Sequence, residues 1–181
     1  RVDEAGLAET HAWAHLSSAL MPEQGNIEVA LAHLRDARRP EDLVWLAVGA
    51  CAMWLDHGMP GEVNRWLGPL VDDPFISDAA RSAAAAMLMQ ADHAAGNLDK
   101  LVGWGLRSLE LGGGQPHDWL PTVAAFLRMW GWIHPVPVPA SELLDLATST
   151  ALGSRSRDTN LALIHVHETH VQFAHRDFDA A

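Results

Sequence analysis

Apolar residues recur along this chain at intervals of three and four, stop at short polar breaks, and resume. Leu7, Trp13, Leu16 and Leu20 predict a helix over 3–20, broken by Pro22 and Gly25. Asn26 is placed to cap the next helix, which carries Ala30, Leu31, Leu34 and Ala37 on one side and ends at Arg38-Arg39-Pro40. Leu43, Leu46, Ala50 and Trp54 mark a helix over 41–57. Val63, Trp66, Leu67 and Leu70 mark a shorter one over 61–71, before the turn Asp72-Asp73-Pro74. An alanine-rich helix over 77–95 has small residues (Ala80, Ala84, Ala91, Ala95) that let neighbouring helices come close. Leu101, Leu106 and Leu109 continue the pattern over 98–111. Gly112-Gly113-Gly114 reads as a flexible joint, followed by a strongly apolar helix over 119–132. His134-Pro135-Val136-Pro137-Val138-Pro139 forbids helix and favours an extended segment. Ser141 is expected to cap a helix over 142–152, and a loop over 153–157 leads to a long helix over 158–175.

The breaks themselves repeat. Gly96-Asn97-Leu98-Asp99 echoes Gly25-Asn26-Ile27-Glu28. A looser copy stands at Gly58-Met59-Pro60-Gly61, and another at Arg176-Asp177-Phe178-Asp179. A polar turn returning at intervals on the order of 34–47 residues between helices is the mark of a helical repeat array. The predicted fold is all-α: a right-handed superhelix of antiparallel helix pairs. It has about five units, over 1–39, 40–73, 74–114, 115–153 and 154–181, in one domain. Asp177 would begin a helix cut off at Ala181, so the last unit is incomplete and the chain reads as a piece of a longer protein.

Composition narrows the roles. Nearly half of the 181 residues are hydrophobic, tyrosine is absent, and alanine and leucine abound, all of which favour helix over strand. The net charge of −11 sets most of this surface against nucleic acid and against an anionic membrane. A local basic group, Arg35, Arg38 and Arg39, fits the negative end of a helix dipole. The lone Cys51 lies in an apolar run and reads as a buried, inert thiol, in keeping with a cytoplasmic setting. No apolar run is long enough to cross a membrane.

Several units resemble the tetratricopeptide repeat. Counting from Gly96, the residues Leu101, Gly105 and Ser108 fall where that repeat packs small or apolar side chains on its second helix. Trp54 falls four before Gly58, where the repeat favours a large aromatic, and Ala30, Leu34 and Ala37 fit the second-helix pattern of the first unit. A narrower likeness covers roughly 20–111. Glu23, Asn26, Ile27, Ala30 and Leu31 are followed by Trp54, Gly58, Glu62, Trp66 and Leu67, then by Arg81 and Gly96-Asn97-Leu98-Asp99. This succession is similar to the helical-repeat regions of actinobacterial STAND-type signalling ATPases, including AfsR-like and large LuxR-type transcription regulators. The resemblance implies a non-catalytic sensory or regulatory module, binding a protein, peptide or small effector on a concave face beside other domains of the same chain. The phosphate-loop pattern of the ATPase module is absent here, so no nucleotide site carries over. A freestanding peptide-binding adaptor is the alternative, and a metal-binding helical enzyme domain stands behind both.

The remaining residues show little chemistry. His165-Val166-His167-Glu168-Thr169-His170 has the residue types of a zinc helix without its spacing, because Val171 stands four after His167. His11 and His15, with Glu9 near, supply too few ligands, so no metal or other cofactor is expected and the eleven histidines read as surface or groove-lining groups. No nucleophile elbow is present. Eight tryptophans are many for this length. Trp54 and Trp66 read as core. Trp104, Trp119, Trp130 and Trp132 gather around the glycines and the prolines and are the expected lining of a concave ligand or peptide site. Arg128 would receive an anionic group there.

Overall fold

The computed structural model describes residues 17–113, 119–131, 134–153 and 157–179. The first predicted helix lies outside the described residues except for its helical end at 17–20. Eight α-helices follow: α1 (Gln24–Asp36), α2 (Pro40–Asp56), α3 (Pro60–Leu67), α4 (Asp78–Ala94), α5 (Leu98–Gly112), α6 (Leu120–Trp130), α7 (Ala140–Gly153) and α8 (Arg157–Asp179). No strand occurs among the described residues, so the fold is all-α.

Helices pack mainly against elements one or two places away in the chain. α4 lies chiefly on α5, α6 lies on α5, α7 and α8, and α2 and α3 lie on each other and on α4. Neighbours run antiparallel. Ser82 meets Ser108 at one end of the α4–α5 pair and Asp92 meets Trp104 at the other; Gly112 faces Leu120 and Gly105 faces Leu127 across α5 and α6. α4 is the centre. Ser82 through Met89 are all buried, more than two full turns, so this helix has neighbours on every side. Alanine makes that possible by keeping the surrounding helix axes near. Trp54 is 0% exposed and Trp66 nearly so, as their register implies.

One turn closes three of the helices. At the ends of α1, α2 and α4, the amides of Arg39, Met59 and Asn97 donate to the carbonyls of Leu34, Trp54 and Asp92, each five residues back. This is the Schellman closure, which needs a residue in the left-handed region. Gly58 (φ +70°) and Gly96 (φ +74°) supply it cheaply, but at the end of α1 the position is held by Arg38 (φ +54°). The next helix begins two residues later in every case, at Pro40, Pro60 and Leu98.

Four local expectations are corrected. Gly25 and Asn26 lie inside α1 instead of at a turn, because the 3-10 segment Met21–Glu23 carries the chain past Pro22 in right-handed conformation. Ser141 caps nothing: α7 starts at Ala140, and the Pro139 carbonyl accepts the first helical bond, from the Leu143 amide. Gly112 is no joint but a buried residue of α5; a Cβ there would stand 2.7 Å from Leu120 Cδ2 and 2.9 Å from Ser82 Oγ. Finally, Arg176-Asp177 makes no turn, for α8 runs unbroken to Asp179. Arg38 closes α1 because Pro40 drives Arg39 out of the helical region (φ −109°, ψ 67°), whereas two places after Arg176 the chain has Phe178 in the proline's position.

Two polar clamps fix the helices, one between neighbouring pairs and one within a pair. Ser77 caps α4, its Oγ accepting from the Ala80 amide, and both its hydroxyl and its amide donate to the Glu41 carboxylate (2.7 and 2.9 Å). Burial alone would raise the Glu41 pKa, but these bonds outweigh it and hold the group below its ordinary value. The first turns of α2 and α4 are thereby tied. In the second clamp, Asp92, 2% exposed, accepts from Asn97 Nδ2 and Trp104 Nε1, both at 3.0 Å, fastening the α4–α5 turn.

Candidate functional site

The expected aromatic site is divided by the fold. Trp104 is half-buried on α5, its indole N–H committed to Asp92, and its ring floors a shallow cleft of about 430 Å3 beside Asn64, Lys100 and Arg107. Trp119 is partly buried against the core at the start of α6. Trp130, at the end of α6, also packs on the core, tilted against the His93 ring with centroids 5.5 Å apart. Trp132 lies outside the described residues. Arg128 faces a different cleft from Trp104, so the five residues do not form one lining.

The Arg128 cleft has the more definite chemistry. The proline segment lays Val136 and Val138 half-buried while Pro135, Pro137 and Pro139 stay exposed, the alternation of an extended strip. The two valines, with Leu143 of α7 and Val171 of α8, wall a cleft of about 400 Å3 that Arg128 also lines. Arg128 is not a free cation. Its Nε and Nη2 both donate to the Glu168 carboxylate of α8, the latter at 2.8 Å, with both side chains under one-fifth exposed. A forked pair of this kind fixes orientation as well as charge. Glu168 also borders a second cleft, between α7 and α8, lined by Leu144, Leu152 and Ile164.

Behind the ion pair, rings bridge three alternate helices. His93 of α4 meets Phe126 of α6 edge-on at 5.2 Å, and Phe126 meets His167 of α8 at 4.8 Å. His167 Nδ1 lies 3.3 Å from Met129 Sδ, and its Nε2 is buried without a hydrogen-bond partner. Burial, then the charges of His170 and His93, lower the His167 pKa, against the opposing pull of Glu168. His165 and His170 are exposed. Among the described residues no three His, Cys, Asp or Glu side chains are grouped to hold a metal; His11 and His15 lie outside them. Cys51 is fully buried, donates to the Ala47 carbonyl, and has a pKa pushed far up by burial, so its thiolate is inaccessible.

Comparison with protein-family models, curated proteins and solved structures finds no match.

What these surfaces can do rests on their own geometry. A neutralised cation in the wall of a cleft that also carries valine and leucine side chains can orient a polar group of a bound chain while the aliphatic wall shelters its apolar ones. The residues that sequence reasoning missed are Glu168, as the partner of Arg128, and His93 and Phe126. Periodicity shows which face of a helix is apolar, not which side chain on α8 meets which on α6.

Proposed function

We propose that this chain is a tetratricopeptide-like array of helix pairs that serves as a regulatory or sensory interaction module in a larger signalling ATPase or transcription regulator. The observation that supports it most is the turn repeated at Arg38, Gly58 and Gly96, with packing confined to near neighbours in the chain. Such an array can bend without unfolding, since each unit touches few others. A protein, peptide or small effector seated in the cleft between α6, α7 and α8 would bind one curvature better than another and shift the state of an attached domain. The Arg128–Glu168 pair would orient that ligand, with Val136, Val138 and Leu143 receiving its apolar groups. Catalysis has no part in this reading.

The test is made in the full-length parent protein. Excising residues 1–181, or replacing Val138 and Leu143 with glutamate, should change nucleotide turnover or transcriptional output. Unchanged turnover and output on excision would overturn the proposal.

A further inference from the structure

Another cleft, far from Arg128 in the chain, lies where the end of α1 meets the loop before α4. It measures about 590 Å3, with Pro40, Leu43 and Leu70 as its apolar lining, Arg35, Arg38 and Arg39 on one side and Phe75 on the other. Phe75 is 88% exposed, the largest exposure among the big apolar side chains described. The backbone beneath it is fixed, the Phe75 amide donating to Asp73 Oδ1 at 2.9 Å. Arg38 is exposed and makes no ion pair among the described residues. Arg35 and Arg39 pair with Asp36 (3.6 Å) and Asp42 (2.7 Å) on open surface, where such pairs contribute little, and the Arg35 guanidinium also lies 5.7 Å from the Trp66 ring centroid. At the corresponding place in the two sister turns the chain uses glycine. Here it keeps an arginine in the left-handed region, which a side chain with a Cβ adopts at a cost.

We propose that this cleft binds an acidic peptide segment bearing one bulky apolar side chain. The apolar side chain lodges between Phe75, Leu43 and Leu70, and the flanking carboxylates meet Arg38 and Arg39, displacing the weak Asp42 pairing. Charge complementarity decides the occupant: three guanidinium groups line this cleft against the single carboxylate of Asp73, in a protein of net charge −11. Repulsion from the remaining surface is screened beyond about 8 Å at physiological salt, leaving the local arginines in control at contact. The site stands independently of the cleft at Arg128.

The probe is a fluorescein-labelled peptide with one leucine between runs of glutamate, titrated with residues 1–181 and followed by fluorescence anisotropy. Saturable binding is expected. Arg38→Gly should weaken it about tenfold, the loss of one charged hydrogen bond, while melting at the same or a higher temperature, because glycine suits this turn. Phe75→Ala should weaken it about fivefold. Any one of four results would overturn the proposal: no binding by the wild type, equal binding of a peptide with serine in place of leucine, unchanged affinity in both variants, or preferential binding of an oligothymidylate probe. If ultracentrifugation shows a second copy of the chain filling the cleft, that also counts against it.

Discussion

At Gly105 the side chain is missing and its neighbours occupy the room. A Cβ there would stand 2.8 Å from Leu127 Cδ2 and 3.1 Å from Met89 Sδ, whereas one on Gly103, two residues earlier on α5, would meet nothing within 4 Å. Alanine gains about 1 kcal/mol over glycine in a helix interior. Overpacking a fitted core costs about 1–3 kcal/mol. Gly103→Ala should therefore stabilise the protein by roughly 0.5–1 kcal/mol, and Gly105→Ala should destabilise it by about 1 kcal/mol net. Urea denaturation reads both, and a stabilising Gly105→Ala would show that α5 and α6 have slack between them. The buried role of Gly105 was legible in the sequence, since Leu101, Gly105 and Ser108 share one face and all three are buried. That of Gly112 was not: three consecutive glycines look like a joint unless the partner strip, here Leu120 and Ser82, is known. The left-handed Arg38 could have been found by setting Arg38-Arg39-Pro40 beside Gly58-Met59-Pro60, where the proline stops the helix in both.

Helix positions followed closely from periodicity, because each helix has an apolar stripe and most breaks carry glycine or proline. What the pattern left out is how one element docks on another. α8 shows this. Its contact with α6 runs through the Arg128–Glu168 fork and the His167–Phe126 ring pair, none of which has a sequence signature at a separation of about forty positions. The His167 contact has a pH dependence whose sign follows from burial. The folded protein holds this imidazole below its ordinary value of 6.5, while the unfolded chain takes up a proton near that value. The titratable groups acting on it are His93 on α4 and Glu168 and His170 on α8 itself, while α6 presents Met129 and Phe126. The contribution of His167 is thus fully present above the ordinary value and is lost as pH falls through it toward the folded pKa. Between pH of about 7.5 and 5.5, the range in which histidines titrate, the wild type should lose more stability than His167→Gln. Equal slopes in chemical denaturation would mean that the imidazole is as hydrated in the folded state as in the unfolded.

Across the whole molecule, packing between near neighbours predicts graded stability. α4 is buried on all sides, whereas among the described residues α1 touches chiefly α2, and α7 chiefly α6 and α8. In such an array the cost of opening a helix is its own stability plus the interfaces it loses, so an end opens with one interface and the centre with several. Amide hydrogen exchange should find the slowest protons in α4, between Ser82 and Met89, and along the facing side of α5. Protection should fall toward α1 in one direction and through α7 into α8 in the other. Cutting the Glu41–Ser77 clamp with Glu41→Gln should speed exchange in α1 and α2 while leaving α6 to α8 unchanged, because no contact of substance links α2 to those helices. Uniform protection from α1 to α8, with every amide responding to Glu41→Gln alike, would instead describe one cooperative unit. An array of that kind could not bend at one cleft without unfolding everywhere, and the curvature mechanism proposed for the α6–α8 cleft would go with it.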